Sequence, residues 1–182
     1  LLAMREDLNN HLMSINDLSF LPEPYFLNNG IDDVVEYSAQ NKTLIKKLIE
    51  TSNLQLKDYD EVSSLIKNSL NNDNPWIRYW GLIVCSSFGI KAMENKDKIK
   101  VIFENDSENL VRMRAAEFML LNDIELNDSK INSLLKRSNF EAEANLMLNT
   151  LANIKTINPK YKLNLNKNVF PENWIPPIRE EN

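Results

Sequence analysis

Two arginines open the reading because of their spacing. Ile77-Arg78 aligns with Val111-Arg112, 34 residues on, and each arginine follows a loop acid, Asp73 or Asp106. A guanidinium offers a planar fork of donors that matches a carboxylate. The pattern predicts a structural ladder of Asp73, Arg78, Asp106 and Arg112, in which an arginine of one repeat bonds a loop aspartate of a neighbour. The rival reading is an anionic-ligand patch, in which Arg114 and Lys91 join the two arginines. Trp76, Tyr79 and Trp80 have rings that stack on sugars, but a helix this apolar assigns tryptophans to the core. Tyr79 is the ring expected at the surface, so Tyr79, Lys91 and Arg114 form the candidate ligand or partner surface.

The remaining reactive groups read as structural. Cys85 is the only cysteine. It sits in the most apolar stretch with no base nearby, and buried free cysteine behaves as a small hydrophobe. His11 is the only histidine, and it lies off the apolar row of its helix, which predicts a surface position. Asp32-Asp33 and Asp58, Asp60 and Glu61 stand near helix starts, where capping and the helix dipole favour acids. Lys46-Lys47, Lys96, Lys98 and Lys100 read as solvated faces. Asn41, Asn105 and Asn127 begin glycosylation sequons that also fit helix caps. No serine triad, phosphate loop, dinucleotide fingerprint or metal-helix motif occurs. No catalytic, cofactor-binding or metal residue is therefore assigned, and this chain alone is not expected to be an enzyme.

Composition narrows the class. In 182 residues, 43% are hydrophobic and 26% charged, the balance of a globular chain. Only three glycines occur, too few for the tight turns of a large β-protein. The net charge of −5 argues against a nucleic-acid groove, which needs a basic footprint. No apolar run reaches membrane-spanning length.

The elements that must position these residues are helices. The central one begins at Asn74-Pro75, a capping side chain followed by a proline where no N–H is needed. Trp76, Trp80 and Ile83 form one apolar row; Ile77, Gly81, Val84 and Phe88 form another, and Gly89 ends the helix. Upstream, Met4, Leu8, Leu12 and Ile15 are spaced four, four and three apart and predict one apolar face of a first helix. Phe20-Leu21-Pro22-Glu23-Pro24-Tyr25 breaks helical geometry, and Asn28-Asn29-Gly30 reads as a turn. Ile31, Val34, Val35 and Ser38 mark a short helix, and Leu44, Ile45, Leu48 and Ile49 another, capped by Asn41 or Thr43. Asp58 and Glu61 have capping-box spacing before a helix striped by Val62, Leu65, Ile66 and Leu70. Further helices carry Ile99, Ile102 and Phe103; Val111, Ala115, Phe118 and Leu121; Ile131, Leu134 and Leu135; and Ala142, Leu146 and Leu151.

Val111 aligns in turn with Ala142, 31 residues on. Helix pairs at such steps are the mark of a solenoid, in which neighbours must stack to bury their faces. The expected fold is all-α, an α-α superhelix of HEAT/ARM-like repeats with an extended C-terminal tail. Residues 1–57 form an N-terminal helical segment, residues 58–157 three HEAT-like helix pairs, and residues 158–182 a Pro/Asn-rich tail. A short strand is expected at Lys162–Leu165. Phe170, Trp174 and Ile175 are expected to bring the tail against the helices or against a missing part of the parent.

Two stretches resemble a known family. Met4-Arg5-Glu6-Asp7-Leu8, His11-Leu12-Met13 and Asp17 through Glu23 are similar to the segment after the catalytic domain in bacterial sulfatases of the heparan N-sulfatase (N-sulfoglucosamine sulfohydrolase) type. Tyr59-Asp60-Glu61-Val62 and Asn74 through Leu82 resemble the HEAT-like repeats that follow there, and the likeness spans Met4 to Ile154. In that family a formylglycine, made in a Cys/Ser-x-Pro-x-Arg motif beside calcium, does the chemistry. Cys85 is followed by Ser86-Ser87-Phe88-Gly89, so this chain carries no such motif, and no catalytic or calcium residue transfers. The resemblance implies a non-catalytic accessory domain of a sulfatase-like hydrolase acting on sulfated glycans. It would pack on a missing catalytic domain or extend its substrate surface, and the parent would be periplasmic or secreted. The chain opens Leu1-Leu2-Ala3 inside a helical pattern, which predicts a piece of a longer polypeptide and a homodimer through the exposed N-terminal end. The alternative is a free-standing HEAT-repeat scaffold that binds a protein partner.

Overall fold

The structure, a computed structural model, describes residues 2–29, 32–162, 164–166 and 169–171, and among them the chain is helical with no strand. Four helices come first: α1 (Leu2–Ser14), α2 (Glu23–Asn29), α3 (Val34–Gln40) and α4 (Lys42–Ser52). Then follow α5 (Tyr59–Leu70), α6 (Pro75–Phe88), α7 (Lys96–Asn105), α8 (Asn109–Leu121), α9 (Asp128–Leu135) and α10 (Glu141–Ile157). Helices α4, α6, α8 and α10 each touch the next in that order, while α5 packs on α6 and α7 on α8. This two-layer packing is compatible with a helical superhelix.

Helix α6 lies in the middle because its surface is apolar nearly all round. Asn74 Oδ1 accepts the Trp76 N–H at 2.9 Å, and Pro75 follows in the first turn. Ile77, Leu82, Val84 and Cys85 are buried between α4, α5 and α8. Gly81 permits the closest approach: a Cβ there would stand 2.5 Å from Ser69 Oγ and 3.2 Å from Ser69 Cβ on α5. Gly81→Ala is therefore expected to lower stability by about 1–3 kcal/mol through overpacking, despite alanine's better helix propensity. Urea unfolding checks this, and adding Ser69→Gly is expected to restore most of the loss. Gly89 ends α6 with φ of +56°, a conformation side chains resist.

Several local expectations are corrected. Pro24 does not exclude a helix but sits in the first turn of α2, where a missing N–H costs nothing. Asn28 and Asn29 are the end of that helix rather than a turn, and Gly30 and Ile31 lie outside the described residues. Met4, Leu8 and Ile15 point outward, 73%, 57% and 52% exposed, so the apolar row of α1 is not covered by the described chain. Leu65 also leaves the core and lines a surface groove with Leu54 and Ile77. Neither Asp58 nor Asn41 makes a side-chain cap; the Asn41 amide donates to Tyr37 O at 2.9 Å instead. Asn127 does cap α9, accepting from Lys130 N at 3.0 Å, whereas Asn105 is the last residue of α7.

Among the described residues of the tail no strand forms, and residues 164 and 166 lie against α9. Asp128 Oδ2 accepts Asn164 N at 3.2 Å, and Asn132 Oδ1 accepts Asn166 N at 2.8 Å. Asp128 and Asn132 are one helical turn apart, so they meet alternate tail residues as a partner strand would. Leu163 lies outside the described residues, as do Trp174 and Ile175. Val169 is buried in the core and Phe170 packs against it.

Candidate functional site

The starts of α6, α8 and α10 converge on one cleft of about 420 Å³, closed on its other side by α2. Asn74, Glu108 and Phe140 stand at the N-cap positions of α6, α8 and α10. Tyr25, Trp76 and Phe140 supply its aromatic walls. Tyr25 and Trp76 meet edge to face with centroids 5.1 Å apart, and Tyr25 Oη is 2.7 Å from Tyr37 Oη. This fixes the ring that the two sides of α2 share.

Glu108 and Glu143 bring carboxylates to the cleft. Glu143 Oε2 accepts from Asn139 N at 2.7 Å and from Asn139 Nδ2 at 3.1 Å, closing the start of α10. Asp106 Oδ1 accepts Glu108 N at 3.1 Å at the start of α8. Glu108 itself forms no ion pair among the described residues. Burial, together with the negative charges of Asp106 and Glu143, raises its pKa above the ordinary value, and Arg78 only partly opposes this. A carboxyl whose folded pKa is raised stabilises the fold at low pH and loses that contribution as pH rises. Glu108→Gln is therefore expected to raise the unfolding temperature at pH 7 and to leave it unchanged at pH 3, as calorimetry would show.

The residues singled out in the sequence fall into different places. Arg78 grips Asp106 with two bonds, Nε to Oδ2 at 2.7 Å and Nη2 to Oδ1 at 2.9 Å. Its Nη1 also donates to the carbonyls of Asn72 and Asp73. Asp73 thus joins through its backbone, and its carboxylate is not part of the contact. Arg112 does not bond an aspartate but donates to Phe103 O at 2.6 Å and lies over the Phe103 ring. Burial, with nearby Arg137, lowers its pKa. The second rung fails because the loop ahead of α10 offers Arg137 where an acid is needed.

Tyr79 is not the exposed ring that its position on α6 suggests. It is buried, its hydroxyl accepts from Arg114 Nη2 at 2.9 Å, and Arg114 also donates to Glu117 Oε2 at 2.9 Å. Lys91 is exposed and borders a surface hollow with Asp58, Tyr59, Asp60 and Glu61, away from Arg114's partners. The structure therefore joins Tyr79 to Arg114 as a buried pair and does not bring Lys91 to them. Trp80 is half-buried and donates its indole N–H to Phe20 O at 2.7 Å, tying the N-terminal segment to α6.

No family model, curated protein or solved structure matches this chain. The sulfatase resemblance thus rests on its residues alone. Cys85 is buried, and burial raises its pKa to about 12, the state of a protonated structural thiol. His11 is exposed at the end of α1. Among the described residues no three metal-ligating side chains come together, and no helix is long and apolar enough to cross a membrane.

Tyr25, Glu108, Phe140 and Glu143 were not among the sequence candidates. Each was hidden as an ordinary helix-start or loop residue.

Proposed function

We propose that this chain is a non-catalytic helical accessory domain that acts by binding, with the cleft at the starts of α6, α8 and α10 as its binding surface. One observation carries the reading. The cleft brings the rings of Tyr25, Trp76 and Phe140 together with amide and carboxylate side chains from several elements. A stack of helices also offers a long face on which such a cleft is accessible to a partner. Fold alone does not assign the partner. The test is a photo-crosslinking residue at Asn28, on the cleft rim, compared with one at exposed Asn149 on α10. Discrete adducts in the native host at Asn28 and none at Asn149 support the reading. Equal adducts at both positions, or none at either, remove it.

A second reading attaches the domain to a sulfatase-like hydrolase acting on sulfated glycans, whose catalytic domain would hold the calcium and formylglycine. The observation favouring it is the outward apolar row Met4, Leu8 and Ile15, which lies in the very segment that carries the resemblance. A preceding domain would cover that row, and without one the same row would pair two copies. Reading the coding frame upstream of Leu1 decides it. A Cys/Ser-x-Pro-x-Arg motif within a calcium-binding α/β domain supports the link, and an unrelated frame leaves a free-standing scaffold. A sulfated glycan does not suit the acidic cleft, and Arg114 is already committed to Tyr79 and Glu117.

A further inference from the structure

We propose that the open groove between α4 and α5 receives the apolar C-terminal segment Trp174-Ile175 of a second copy, so that the chain associates head to tail. The groove is separate from the cleft, with which it shares no lining residue.

The groove encloses about 220 Å³, room for one large side chain. Leu54 and Ile77 are buried beneath it, and Leu65 stands beside it, 47% exposed. In a helix stack each pair is covered by the next, and an end pair stays open unless something caps it. Here α1 and α3 pack on α4. Leu65 belongs by spacing to the apolar stripe of α5, yet it remains in contact with water. An apolar hollow at the end of a stack marks a contact surface.

The tail has the chemistry to fill it. Residues 172–182 lie outside the described residues and include Trp174, Ile175 and Ile178, side chains that are costly to leave in water. The segment is acidic, with Glu172, Glu180 and Glu181 against Arg179. On the groove rim, Glu50 is answered by Lys46 at 3.9 Å, while Lys47 has no ion pair among the described residues. Complementary charge of this kind sets partner choice. The tail also shows how it takes a helix. Its backbone at Asn164 and Asn166 bonds Asp128 and Asn132, four residues apart on α9. Asn68 and Asn72 repeat that spacing at the groove, and the Asn68 amide has no partner among the described residues.

The tail of the same chain falls short. Trp174 is four residues past Phe170, at most about 14 Å away at full extension. The groove lies at α4, whereas the tail is held at α9, which packs on α8. From α4 through α6 to α8 is two helix spacings of about 8–10 Å each. A second copy has no such limit. Tail to groove is a heterologous contact, which closes into a ring or grows instead of ending at a symmetric pair.

Fluorescence anisotropy of the full chain with a labelled peptide of residues 171–182 measures the contact. The peptide is expected to bind. Leu65→Glu in the chain, or Trp174→Ala in the peptide, is expected to weaken binding about tenfold or more. Lys47→Glu is expected to weaken it a few-fold, an effect that shrinks as salt rises. Val101→Glu on α7, at a residue 53% exposed away from the groove, is expected to change affinity less than about twofold. Circular dichroism verifies that each variant is folded, and the Trp174→Ala peptide carries the test if Leu65→Glu is not. Sedimentation velocity then reads the source of the segment. The full chain is expected to associate as its concentration rises, and Leu65→Glu and Trp174→Ala chains each to stay monomeric. Their equal mixture is expected to form dimers and nothing larger, because one intact tail meets one intact groove. No binding of the peptide overturns the proposal, as does an equal loss with Val101→Glu or full binding by the Trp174→Ala peptide. Peptide binding by a chain that remains strictly monomeric overturns the second copy as the source. A monomeric mixture, where the unaltered chain associates, overturns the head-to-tail contact.

Discussion

Asp106→Ala is expected to lower the unfolding free energy by about 3 kcal/mol, the low end of what breaking one side of a buried ion pair costs. The Asp106 side chain is 3% exposed and its Arg78 partner 15%, so water does not replace the lost carboxylate. Three donors lose an acceptor together: Arg78 Nε, Arg78 Nη2 and Glu108 N. The cost stays at the low end because Arg78 Nη1 keeps the carbonyls of Asn72 and Asp73. Urea denaturation reads the effect as a lower midpoint with an unchanged slope. Asp106→Asn retains one acceptor and is expected to lose about half as much. A loss under about 1 kcal/mol for alanine would class the contact with exposed pairs and remove its role in locking α6 to the α7–α8 loop.

This contact also shows how far the sequence could be read. Most helix positions were legible because they depend on local chemistry, and α2, entered through Pro24, was the exception. Asn74 followed by Pro75 names a helix start in any context, and the rows on α6 name a buried helix. The partner of Arg78 was legible too, since a guanidinium and a loop aspartate at repeat spacing have one good geometry. Arg112 was not, because its partner is a backbone carbonyl, which every residue carries and no pattern marks. The apolar face of α1 shows a related limit. Met4, Leu8 and Ile15 have the spacing of a buried stripe, and spacing says that a face is apolar without saying what covers it. The cleft escaped because it is a property of three helix starts and α2 together. Glu108 and Glu143 lie 35 residues apart, and neither is unusual where it stands. The tail shows the same limit from the other side. Alternation in Lys162–Leu165 marked an extended segment, but the side chains of Asp128 and Asn132 took the place of the partner strand.

Glu117→Ala is expected to be at least as damaging as the loss of Asp106, at about 3–5 kcal/mol. Arg114 is held on α8 by Glu117 one turn away and by Tyr79 on the neighbouring α6, with its guanidinium 5.0 Å from the Tyr79 ring centre. Burial works against its charge, yet Tyr79 and Glu117 outweigh burial, so the net shift of its pKa is upward and the guanidinium stays ionised. Removing the Glu117 carboxylate strands that charge between two helices that pack closely. Arg114→Lys is not a conservative change here, because a lysine has no planar fork to reach Glu117 and Tyr79 at once. The informative variant is Arg114→Met with Glu117→Leu, which replaces both charges by apolar side chains and is expected to recover most of the stability lost by Glu117→Ala. Equilibrium unfolding of the single and double variants forms a cycle whose coupling measures the pair directly. Strong coupling makes Glu117 the partner that holds the Arg114 guanidinium in place beneath Tyr79. Additive, small effects would instead free the guanidinium for a ligand, which its present bonds to Tyr79 and Glu117 oppose.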